Sequence, residues 1–113
     1  MALFAVLIYS GDSLHAPDAT DEDLAEPNAH GDEVAATGSM VAAYAFHPRA
    51  FARSIRATGV TEGAFLDAPQ AVAGVYVLEA PDLEAAIAIA ATNPEVRGTG
   101  GVEVRPVHSS FSA

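Results

Sequence analysis

Residues 71–80, Ala-Val-Ala-Gly-Val-Tyr-Val-Leu-Glu-Ala, constrain the fold more than any other stretch, because they are apolar at odd and even positions alike. A strand of that kind needs cover on both of its faces. Pro81 ends it, and Asp82 caps a helix that keeps Leu83, Ile87 and Ala90 on one stripe and stops before Asn93-Pro94. Residues 2–10 repeat the pattern, with Leu3, Ala5, Leu7 and Tyr9 on one face and Phe4, Val6 and Ile8 on the other. In a chain of 113 residues, helices supply one cover and a partner subunit is the cheapest second one. The expectation is a homodimer, since an uncovered face of this size exceeds what soluble monomers usually expose.

The remaining elements follow from local signals. Gly11 to Thr20 is a polar loop, and Thr20 or Asp21 caps a helix that begins near Glu22, bends or splits at Pro27 and Gly31, and ends at Gly38. Ser39 to Phe46 alternates as a second strand, broken by His47-Pro48. A third strand is expected over Ala50 to Ala57, with Phe51, Arg53, Ile55 and Ala57 on one face and Ala52, Ser54 and Arg56 on the other. Thr58-Gly59 is a turn into the loop Glu62-Gly63-Ala64-Phe65, where Gly63 has access to backbone conformations closed to other residues and so aims Glu62 and Phe65. Asn93 to Gly101 reads as a mobile connection, and Val102 to Val107 as a closing strand internal to the sheet. Strand, helix, two strands, helix, strand is an α+β, ferredoxin-like βαββαβ order with an extra hairpin arm, in one domain over residues 1–113.

Composition bounds the function. Half of the residues are apolar, which excludes a disordered tail protein. Cysteine and lysine are absent, so thiolate and Schiff-base chemistry are excluded. A net charge of −10, with no cluster among the five arginines, opposes direct nucleic-acid binding and anionic membrane surfaces. The apolar start lacks a basic leader and is too short to span a bilayer, which points to a soluble cytoplasmic protein. His15, His47 and His108 are scattered, and no metal or cofactor is expected. Gly98-Thr99-Gly100-Gly101 precedes a strand rather than a helix and therefore lacks a phosphate-binding amide nest.

Three runs of residues, Gly74-Val75-Tyr76-Val77-Leu78-Glu79-Ala80, Asp82-Leu83-Glu84-Ala85-Ala86 and Val102-Glu103-Val104-Arg105-Pro106, stand in order at a spacing that resembles the DGPF branch of the YCII-related family. The family's Asp-Gly-Pro-Phe signature is altered here to Glu62-Gly63-Ala64-Phe65. The resemblance implies a dimeric α/β barrel in which two sheets face one another. It also implies a small-molecule pocket between sheet and first helix, and, if there is a reaction, proton transfer on a small organic acid or lactone, as in related muconolactone isomerases and dehalogenases. Association with alternative sigma factors, reported for DGPF-type proteins, implies the contrasting role of a non-catalytic interaction protein in transcription.

The family's proposed His-Asp pair places a catalytic histidine on the first helix, where His30 stands, and an aspartate near Phe46 and His47, where no carboxylate stands. His30 is thus either a catalytic base lacking its orienting partner or a structural or surface residue. Arg105, alternating with valines, either lies on the inter-subunit face as an anion site or pairs with Glu62, Glu79 or Glu103. Glu62 shares that ambiguity, and Phe65 is placed beside it by the loop. Tyr44 and Tyr76 either line a pocket with their polar tips or are core tyrosines with one hydrogen bond.

Overall fold

A computed structural model describes residues 1–111. Its elements are β1 (Ala2–Ser10), α1 (Ala25–Ala36), β2 (Met40–Ala45), β3 (Arg53–Arg56), β4 (Gly59–Glu62), β5 (Ala71–Ala80), α2 (Leu83–Ala90) and β6 (Gly101–Pro106), with short 3-10 turns at Arg49–Phe51 and Pro94–Arg97. Four strands form an antiparallel sheet in the order β2-β5-β1-β6, and β3 and β4 form a separate two-stranded hairpin. This mixed α+β arrangement is compatible with a ferredoxin-like fold.

Alternation along β1 and β5 decides where the core sits. Phe4 and Val6 on β1 and Tyr76, Leu78 and Ala80 on β5 are buried, whereas Leu3, Ala5, Leu7, Val75 and Val77 on the other face are only half-buried. Val6, Tyr76 and Leu78 pack with Val34 of α1 and Ala90 of α2, so both helices cover the same face. Phe4 and Ala80 close the far end against Ala86. The opposite face of the sheet is uncovered in the protomer.

Thr20 and Asp23 bond reciprocally, Thr20 N–H donating to Asp23 Oδ2 at 3.0 Å and Asp23 N–H to Thr20 Oγ1 at 3.2 Å, which folds the turn that leads into α1. Pro27 falls within the first turn, where its missing amide has no helical acceptor to lose, so α1 runs as one helix from Ala25 to Ala36 and is not split. Asp82 caps α2 as expected, accepting from Ala85 N–H at 2.9 Å. The buried stripe of α2 is Ala86 and Ala90, however, with Leu83 and Ile87 substantially exposed. An eight-residue helix that is apolar nearly all round carries no period strong enough to choose its face, and the small alanines allow the closest approach to the sheet.

Three further expectations are corrected. The third strand is shorter than Ala50 to Ala57, because Arg49–Phe51 winds into a 3-10 turn after Pro48. Of its two faces the Ser54 side is the buried one, Ser54 donating from Oγ to the Gly63 carbonyl at 2.8 Å, while Ile55 on the other side is 74% exposed. The arm turns at Ala57 and Thr58, and Gly59 and Glu62 belong to β4. Asn93 to Gly101 is structured by the turn Pro94–Arg97, with Asn93 Oδ1 accepting from Glu95 N–H at 3.0 Å. Finally, β6 is an edge strand beside β1 and not an internal one.

Candidate functional site

One face of α1 builds the site. Glu26, His30 and Val34 recur at four-residue spacing and so share that face. They form one wall of a cleft of about 610 Å³ whose other walls are the β1–α1 loop, β2, β5 and the segment from Asn93 to Glu95. Its apolar lining includes Ile8, Leu14, Val34 and Met40.

At the floor, His30 is 8% and Tyr76 3% exposed, and their rings meet edge to face with centroids 6.4 Å apart. Among the described residues, His30 Nδ1, His30 Nε2 and Tyr76 Oη have no hydrogen-bond partner. That is costly for buried polar atoms, at about 1–3 kcal/mol each, and such atoms in a native protein call for an explanation. Burial pushes the His30 imidazolium below the usual histidine range, with Glu33 opposing, so the ring is neutral near pH 7 and offers one donor and one acceptor nitrogen. Burial likewise pushes the Tyr76 phenol up, and the nearby Asn93 side chain eases that shift without completing a well-formed bond to the hydroxyl.

The mouth of the cleft is pinned by residues that sequence reasoning passed over. Asp12 Oδ1 accepts from Arg49 N–H at 3.0 Å and from Ser13 N–H at 2.8 Å, and Asp12 Oδ2 lies 3.8 Å from the Arg49 guanidinium. These bonds, the Arg49 amide foremost, hold the Asp12 carboxyl below its ordinary value and keep it ionised. Arg49 also donates to the carbonyls of Gly11, Ala68 at 2.8 Å and Pro69 at 3.3 Å, tying the β1–α1 loop to the segment before β5. His47 Nδ1–H donates to the His15 carbonyl at 2.6 Å. The signal for Asp12 was a Gly-Asp-Ser turn directly after an apolar strand, and for Asn93 an Asn-Pro-Glu sequence that caps one turn while stopping another.

The sequence-predicted residues divide. His30 and Tyr76 meet at the floor, and Tyr44 contributes to the β2 wall although it is 63% exposed and pairs with Val75, on the opposite sheet face from Tyr76. Glu62, Phe65 and Arg105 do not line the cleft. Glu62 lies on the arm, 3.8 Å from Arg53, and Phe65 lies under the Arg56 guanidinium at 3.8 Å from its ring centre. Arg105 pairs with Glu103 at 3.0 Å on the uncovered sheet face, with its side chain 70% exposed. Gly63 has φ +97°, the conformation expected of it. Among the described residues, no three His, Asp or Glu side chains gather as a metal site, and no helix is long and apolar enough to cross a membrane.

Fold and site together define a small α+β protein with a cleft between its first helix and an antiparallel sheet, floored by a neutral histidine and a tyrosine. The YCII-related domain family matches residues 2–110, and the chain belongs to that family. No curated protein matches it.

Proposed function

We propose that this chain is a DGPF-like member of its family that binds a small organic molecule in the cleft and uses His30 as the proton-accepting group. The observation that carries this reading is the trio of unpartnered buried atoms, His30 Nδ1, His30 Nε2 and Tyr76 Oη, around a cleft of about 610 Å³. A bound molecule with donors and acceptors offsets their burial cost. A neutral imidazole has the free lone pair a base needs, and Tyr76 Oη supplies a donor for developing negative charge. The family aspartate has no equivalent at Phe46 or His47, but Asp12, an ionised carboxylate on the same cleft, is anchored beside the end of β2 by Arg49.

Two protomers pair in this reading through their uncovered sheet faces, giving a dimeric α/β barrel. Support comes from the half-buried Leu3, Ala5, Leu7, Val75 and Val77, a contiguous apolar surface spread over adjacent strands. Saturation-transfer NMR against a library of small organic molecules tests the cleft: binders should lose most of their signal with His30→Gln and with Tyr76→Phe. Binders indifferent to both substitutions would remove the cleft from the account.

The β3–β4 arm favours a second reading, a non-catalytic interaction protein linked to transcription. Phe51, Ile55, Val60, Phe65 and Leu66 are all exposed on or beside it. Loss of partner capture after Ile55→Ser and Val60→Ser, with small-molecule binding intact, is the outcome that reading predicts.

A further inference from the structure

The cleft reading leaves open what kind of molecule fits, and the charges around it bear on that choice. Glu26, Asp32 and Glu95 line the cleft together with Asp12. Asp12 is balanced by Arg49 at 3.8 Å, whereas Glu26, Asp32 and Glu95 have no salt-bridge partner among the described residues. Among the described residues, no arginine lines the cleft. Arg97 borders a separate recess of about 140 Å³ that shares Glu26, His30 and Pro94 with it. The floor does not supply positive charge either, because its histidine is neutral near pH 7. An organic acid, one ligand type the family resemblance implies, would enter against carboxylates that have no salt-bridge partner, while Arg49 at the mouth is already engaged by Asp12 and three backbone carbonyls.

We infer that the cleft selects a small molecule with an apolar body and a protonated amine. The apolar part packs on Ile8, Val34 and Met40, the ammonium lies among Glu26, Asp32 and Glu95, and the unpartnered atoms of His30 and Tyr76 take the remaining hydrogen bonds. Acidic side chains alone would not make a site. The second observation is independent of them: His30 and Tyr76 both line the cleft, each is more than nine-tenths buried, and their side-chain polar atoms have no hydrogen-bond partner among the described residues. This inference rests on the cleft reading above and adds the sign of the ligand's charge.

Three probes of similar shape separate the two ideas: 2-phenylethylamine, 3-phenylpropanoate and 2-phenylethanol, each titrated at pH 7 while the imidazole resonances of His30 are followed by NMR. His30 is assigned by comparison with His30→Gln. The amine should move those resonances and bind about tenfold more tightly than the carboxylate, a margin consistent with several partly screened charges at close range. That margin should fall at least threefold in the variant carrying Glu26→Gln, Asp32→Asn and Glu95→Gln. Equal or tighter binding of the carboxylate or the alcohol, with His30 moving, overturns the charge inference and leaves the cleft reading intact. An amine preference that survives the triple substitution also overturns it. If none of the probes moves His30, both the inference and the cleft reading fall.

Discussion

His30 of α1 and Tyr76 of β5 face one another edge to face at 6.4 Å with an interplanar angle of 66°, and neither side chain's polar atoms find a protein partner among the described residues. The Tyr76 ring packs in the core with Val6, Val34 and Leu78, but the polar atoms of the pair take no part in holding the helix to the sheet. Tyr76→Phe should leave stability unchanged or raise it by up to about 1 kcal/mol, because it deletes a buried hydroxyl that has no well-formed bond. Urea midpoints decide this, and a loss above about 1 kcal/mol would show that the hydroxyl is structural.

Acid should weaken the fold through His30. Its folded pKa lies below the unfolded value, so the unfolded chain binds the proton more readily, and stability rises with pH across that window. The contribution is complete above the unfolded pKa of about 6.5 and is lost as pH falls toward the lowered folded value. Glu33, which favours the charged form, limits the loss. His30→Gln should flatten the pH dependence of the denaturation midpoint between pH 7 and 5, and an unchanged slope would mean that other groups produce it.

Gly63 and Gly100 are required for different reasons. Gly63 stands at φ +97° with open space around it, so Gly63→Ala should cost about 1 kcal/mol or more through backbone strain alone. Gly100→Ala should cost more, because a Cβ there would collide with the backbone carbonyl of Tyr9 and force β1 and β6 apart. Chemical denaturation of both variants tests the ranking.

Arg105→Met should change stability by under about 1 kcal/mol, the range for an exposed ion pair, since Arg105 and Glu103 are both solvent-accessible in the protomer. Sedimentation velocity on the same variant reports whether the uncovered face that bears Arg105 is an assembly surface. A large destabilisation of the protomer would mean that the pair is held more tightly than its exposure implies.

Much of this was readable in the residue order, and the rest failed for identifiable reasons. Ala71–Ala80 is a strand as expected, because Pro81 ends it and Asp82 caps the next helix. The site residue on α1 was legible because His30 is that helix's histidine and sits four residues from the apolar Val34. Glu62 and Phe65 were grouped with a pocket because their loop is distinctive, but nothing in a linear pattern says which way a hairpin arm projects. Arg105 was expected on an internal strand, yet strand order in a sheet depends on crossovers that a local pattern does not encode. Arg49 escaped notice because its partners are the backbone carbonyls of Gly11, Ala68 and Pro69, which have no sequence signature.

A crystallographic fragment screen tests the central claim most directly. The account predicts that bound fragments concentrate in the cleft between α1 and the sheet, with polar atoms within hydrogen-bond distance of His30 and Tyr76 Oη. Fragments found only elsewhere, with α1 closed onto the sheet and His30 and Tyr76 bonded to protein groups, would contradict it.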